Sequence, residues 1–183
     1  MKNLSFVLAL VLIVIFFNIF KPLKINGAAM EPNYPHATRY LQNRLAYIFS
    51  EVKRGDVVVF RFTNNPTYKG IFRVIGLPGD KIKIENGIVY INGVLLDEPY
   101  LAKQKSTFEL EPVEIKDENE GVGKVLQTQG KKVIENGVEI QVPDNFYFLM
   151  GDNREHSSDS RAYGFIKKED IFGKIMLRYM WPQ

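Results

Sequence analysis

Gly151-Asp152-Asn153-Arg154-Glu155-His156-Ser157-Ser158-Asp159-Ser160-Arg161-Ala162-Tyr163-Gly164 sets a dense polar block between two hydrophobic, strand-like segments. A turn needs only one or two of Gly, Asn or Asp to reach its dihedrals. Here two Asp, two Arg and three Ser fall within fourteen residues and can satisfy one another internally. That is how a functional site gets a supporting shell. A solvated loop whose charges pair locally is the plainer alternative.

Working outward from the block, Phe146-Tyr147-Phe148-Leu149-Met150 before it reads as a buried strand, and Phe165-Ile166 and 171–179 after it read as strands that close a sheet. Further upstream, Val57-Val58-Val59-Phe60-Arg61-Phe62 is β-branched and aromatic, follows an Arg54-Gly55-Asp56 turn and is bounded by Asn64, Asn65 and Pro66. Lys81-Ile82-Lys83-Ile84-Glu85, Asn86-Gly87 and Ile88-Val89-Tyr90-Ile91 form a hairpin pattern, because Asn-Gly supplies the positive φ angles of a tight turn. A second copy, Ile134-Glu135-Asn136-Gly137-Val138, suggests another hairpin. Between the two, 103–132 is rich in charge and Gly, and 116–121 is the expected mobile loop.

From Asn3 to Phe20 no residue is charged. Eighteen residues at about 1.5 Å each just span a hydrocarbon core of roughly 30 Å, so a transmembrane helix is expected. A cleaved secretory signal has a shorter apolar core followed closely by small residues. Here Lys21-Pro22-Leu23-Lys24 intervenes before Gly27-Ala28-Ala29, which favours an uncleaved anchor. The stretch from Leu23 to Gly27 reads as the first strand. Charge leaves the orientation open, since Lys2 lies on one side and Lys21 and Lys24 on the other.

The chain has 183 residues, 45% of them hydrophobic, enough for an anchor and one substantial domain. A net charge of +3 spread along the sequence argues against nucleic-acid binding. With no cysteine and with His36 and His156 far apart, neither thiolate chemistry nor a metal site is expected, and both histidines read as surface residues.

The polar block resembles the last motif box of type I signal peptidases, the membrane-bound Ser/Lys proteases that remove signal peptides from exported proteins. Three more stretches agree in order: Gly27-Ala28-Ala29-Met30-Glu31-Pro32, Lys53-Arg54-Gly55-Asp56-Val57-Val58-Val59-Phe60 and Phe72-Arg73-Val74-Ile75-Gly76-Leu77-Pro78-Gly79-Asp80. The resemblance implies a mainly β fold: an antiparallel β domain over 23–183, a smaller non-catalytic lobe over about 81–142 and an N-terminal transmembrane anchor over 1–22. It also implies a cytoplasmic amino terminus, an extracellular domain at the cell membrane, and no cofactor.

The resemblance places the nucleophilic serine immediately before the methionine, where this chain has Ala29. It places the general-base lysine directly before the Arg-Val-Ile-Gly run, where this chain has Phe72. Ser157 takes the place of the serine that supports the lysine, with Asp159 and Arg161 beside it and Asp152 and Arg154 as structural residues. Gly27, Ala28, Met30, Pro32 and Phe72 would line the substrate site. Lys69 is a poor substitute base, because three residues along a strand puts it on the opposite face from Phe72.

Losing either partner of a nucleophile and its base costs orders of magnitude in rate. The expected function is therefore a non-catalytic binder or chaperone of exported proteins held as extended peptide. Silent relatives in Gram-positive bacteria are associated with pilus assembly, so pilin precursors and sortase are the implied partners. The alternative is an active signal peptidase, in which Lys69 and Ser157 take over or Ala29 stands where the natural chain has serine.

Overall fold

A computed structural model describes residues 2–62, 65–101 and 134–179. Both the charge-rich stretch 103–132 and the loop expected over 116–121 lie outside the described residues.

Helix α1 runs Lys2–Ile19 and passes directly into strand β1, Phe20–Lys24. The strand begins three residues earlier than the sequence suggested. Pro22 disfavours helical dihedrals at Lys21, and the Arg44 backbone N–H donates to the Ile19 carbonyl at 3.0 Å, finishing the helix. α1 rises about 27 Å over its 18 residues. Among the described residues, no helix is long and apolar enough to cross a membrane. Phe6, Leu8, Leu12, Phe16 and Phe17 of α1 all stand exposed.

Strands β2 (Arg39–Asn43), β3 (Val57–Phe62), β4 (Asn65–Gly76), β5 (Lys81–Glu85), β6 (Ile88–Ile91), β7 (Val94–Leu95), β8 (Glu139–Gln141), β9 (Phe146–Met150), β10 (Ile166–Lys167) and β11 (Ile171–Arg178) complete the β structure. Asn65 and Pro66, expected in a turn, already belong to β4. The protein is mainly β, and among the described residues every strand pair is antiparallel. Seven strands form one sheet in the order β1-β2-β11-β3-β4-β9-β10, and four form a second, β7-β6-β5-β8.

The hairpin between β5 and β6 turns on Asn86 and Gly87 at φ 50° and 76°, the positive values a tight two-residue turn requires. Asn92 and Gly93 repeat the device into β7, at φ 52° and 78°. The second Asn-Gly copy leads into β8: Gly137 N–H donates to Ile84 O at 2.7 Å and the Asn136 side chain accepts from Asn86 N–H at 2.8 Å. Any strand preceding that turn lies outside the described residues.

Strand β9 is a continuous hydrophobic run because it serves two cores. Tyr147 and Leu149 join Val57, Val58, Val59, Phe60, Phe72 and Val74 in one cluster. Phe148 and Met150 join Ile75, Ile82, Ile84, Val89 and Ile91 in the other. Successive strand residues point to opposite faces, so a strand buried on both faces has no position for a polar side chain. The polar block begins where β9 leaves the sheet.

Candidate functional site: a small-residue turn against a buried Ser–Asp–Arg set

At the end of β9 the backbone of Gly151 passes between two segments. A Cβ there would collide with the Ser157 hydroxyl and the Ala29 carbonyl oxygen, so only glycine fits. Asn153 then fastens the 28–29 turn to the block: its N–H donates to Ala29 O at 2.9 Å and its Nδ2 to Ala28 O at 3.1 Å. Its Oδ1 is buried without a partner.

Ser157 is buried and its hydroxyl donates to Asp159 Oδ2 at 2.8 Å. The same carboxylate accepts the Gly151 N–H at 2.9 Å, Arg161 Nε at 2.8 Å and Arg161 Nη2 at 2.9 Å. Arg161 Nη2 also donates to the carbonyls of Arg154, at 2.8 Å, and Ser157, at 3.1 Å. The short helix α2, Ser160–Tyr163, starts here with Asp159 as its N-cap. Ser160 Oγ accepts the Leu149 N–H at 2.9 Å, which ties the set back to β9.

Asp152 and Arg154 find their partners elsewhere. Asp152 takes a bidentate grip from Arg73, Nε to Oδ1 at 2.7 Å and Nη2 to Oδ2 at 2.6 Å, and a bond from Asn33 Nδ2 at 2.9 Å. Burial pulls the Arg73 pKa down, but the Asp152 carboxylate more than offsets it and holds the guanidinium charged. Arg73 lies 4.2 Å over the Tyr100 ring, and Asn33 Nδ2 also reaches Tyr100 O at 2.8 Å. Arg154 is fully buried, pairs with Glu98 and donates from Nε to Gly151 O at 3.0 Å. The Tyr100 hydroxyl donates to Glu98 at 2.6 Å. Burial, helped by Glu98, pushes the Tyr100 pKa up, and burial does the same to Tyr34.

Ala29 and Phe72, where the sequence resemblance expects a nucleophile and its base, carry no reactive group. Ala29 is half-buried at the turn, its methyl without oxygen or proton. Phe72 is buried in the same apolar cluster as Met30 and Val74, with Ala29 packed against that cluster and the Phe72 ring 5.4 Å from that of Phe60. Lys69 lies on the other face of β4, its ammonium 5.3 Å over the Phe172 ring beside the equally placed guanidinium of Arg61. The structure thus brings Ala28, Ala29, Ser157, Asp159 and Arg161 together around Gly151, with Asp152 and Arg154 bracing from behind. Gly27 and Ala28 are exposed at the turn, Met30 is buried beneath it and Pro32 is exposed beyond it.

Sequence reasoning missed Arg73, Glu98, Tyr100, Asn33 and Asn153. The one available signal was that a buried arginine needs a carboxylate, which asks for a partner to Arg154 without saying which. Among the described residues, no group of three or more His, Cys, Asp or Glu could hold a metal ion.

Fold and site define an antiparallel β scaffold that clamps a small-residue turn beside a buried serine held by a carboxylate. Residues 1–181 match the family model described as signal peptidase, peptidase S26. Signal peptidase I of Bacillus caldolyticus is 34% identical over 164 residues, covering 90% of this chain and 81% of that protein. Signal peptidase IB of Staphylococcus aureus is 34% identical over 165 residues, covering 88% and 78%. A crystal structure of a signal peptidase I from Enterococcus faecalis V583 is 33% identical, with a TM-score of 0.48 over 69% of this chain and 98% of that one. The chain belongs to the signal peptidase family, peptidase S26.

Proposed function

We propose that this chain is a membrane-anchored, signal-peptidase-like protein that holds extended segments of exported proteins without cutting them. The observation that carries this reading is Phe72. Its ring fills apolar space against Phe60 in the place of an amine, while Ala29 offers no atom able to attack a carbonyl. The frame around the missing pair is fully built, from the Asp159 carboxylate to the Asn153 bonds on the turn. Peptides are recognised on such scaffolds by strand addition, in which main-chain hydrogen bonds give affinity and pockets select alternate side chains.

The anchor is α1. Its described apolar side chains Phe6, Leu8, Leu12, Phe16 and Phe17 stand exposed, which suits a lipid medium. In this reading the amino terminus lies in the cytoplasm and the domain outside, where exported precursors emerge. Pilin precursors are the first client class to test, with sortase as a neighbour in the same assembly.

A second reading, an active signal peptidase, draws on the intact Ser157–Asp159–Arg161 set, whose serine spends its proton on Asp159 and keeps its lone pairs. Lys69, stacked on Phe172 on the opposite sheet face, does not support it. The test uses the full chain in detergent with a fluorescent peptide covering the signal-peptide junction of an exported precursor. Saturable binding with the peptide recovered intact is expected. Absence of binding by both that peptide and a pilin-precursor peptide would sink the proposal.

A further inference from the structure

His36 contributes two bonds across the loop that carries the 28–29 turn. Ile25 N–H donates to Thr38 O at 3.0 Å and Ala37 N–H donates to Ile25 O at 2.9 Å, two rungs that bring the loop's ends together. The next N–H in line is that of Gly27, and it finds no carbonyl. It donates instead to His36 Nδ1 at 2.9 Å. The backbone N–H of His36 donates to Glu31 Oε1 at 3.1 Å. Between Gly27 and His36 lie Ala28, Ala29, Met30 and Pro32. The loop is therefore held from inside by Asn153 and at its neck by His36.

We propose that His36 is a positioning residue for this turn: its unprotonated ring holds Gly27 in place, and proton uptake releases it. A backbone N–H only donates, so Nδ1 must present a lone pair. An imidazolium carries a proton on both nitrogens and cannot accept. Of the charged groups near the loop, Glu31 binds the His36 backbone N–H. The register pair Lys24 and Arg39 closes the strands below the neck. Gly27 has φ +122°, a conformation open to glycine, and has no side chain to pack against the loop. Both Gly27 and His36 are exposed, which gives the proton access from water. If the turn helps to hold peptide as proposed above, capture weakens as the ring takes up its proton.

The test follows the Gly27 amide in the full chain, labelled with 15N-glycine in detergent micelles. Over a pH series run from about 8 down to 5, the Gly27 resonance of the unsubstituted protein is expected to move, with exchange, corrected for intrinsic rate, about fivefold faster at the acid end, the weight of one hydrogen bond. His36→Asn keeps an acceptor oxygen that takes up no proton, and its Gly27 signal should stay flat. His36→Ala should show the released signal at every pH. A Gly27 amide that ignores pH in the unsubstituted protein, or titrates equally in His36→Asn, overturns the latch. Because this readout needs no ligand, it separates the latch from the binding reading. A peptide arm then expects affinity to fall about fivefold over the same range in the unsubstituted protein and to hold in His36→Asn.

Discussion

Asp159 gathers the Ser157 hydroxyl, the Gly151 N–H and the Arg161 side chain on one buried carboxylate. Replacing it by Ala takes the carboxylate away from the buried Arg161 guanidinium, so a loss of about 3–5 kcal/mol is expected in a denaturant titration. Ser157→Ala removes one neutral donor from a carboxylate that keeps the others, and about 1 kcal/mol is expected. Phe72→Ala empties a packed aromatic site and should cost roughly 3–5 kcal/mol. At this scale the sequence was legible where partners are near in the chain. Ser157, Asp159 and Arg161 sit within five residues and do satisfy one another, and strand alternation placed Lys69 away from Phe72. The expectation of an internally satisfied block fails at Arg154 and Asp152. Their partners Glu98 and Arg73 are 56 and 79 residues away, and no local pattern encodes a pair that only folding brings together. His36, read as a plain surface residue, is exposed yet holds Gly27.

At the scale of elements, β9 and the turn after it place the site. The run Phe146–Met150 was legible as a strand, but a run of apolar residues does not say that its two faces serve different cores. The glycine that follows is fixed by contact with Ala29 and Ser157, which separates the two segments if a methyl is added. Gly151→Ala should therefore lower stability by about 1–3 kcal/mol and disturb the 28–29 turn, visible as shifts in the Ala28 and Ala29 amide resonances. The Asn86-Gly87 turn was fully legible, because its chemistry is local. Gly87→Ala forces a side chain to φ 76° and should cost about 1–2 kcal/mol in the same titration. The apolar run of α1 was legible as a helix, whereas its end was set by Pro22 and by the pairing of Phe20 with Asn43, a tertiary contact.

For the whole molecule, one pH dependence follows from its tyrosines. Burial raises the pKa of Tyr34, Tyr47, Tyr100 and Tyr147. The unfolded chain gives up these protons near pH 10 while the folded one keeps them, so their contribution is whole below about pH 10 and is lost as pH rises further. The thermal midpoint should hold between pH 7 and 9 and fall steeply above about pH 10. The proposed reading, a peptide-holding protein with Ala29 and Phe72 in place of a reacting pair, is tested most directly by one measurement. An exported precursor with its signal peptide is incubated in detergent with this chain and, in parallel, with an Ala29→Ser, Phe72→Lys double variant. The account predicts an uncut precursor with the unsubstituted chain, and a cut at the signal-peptide junction with the double variant if that variant folds. Junction cleavage by the unsubstituted chain, surviving gel-filtration purification, contradicts it and assigns the chemistry to another group.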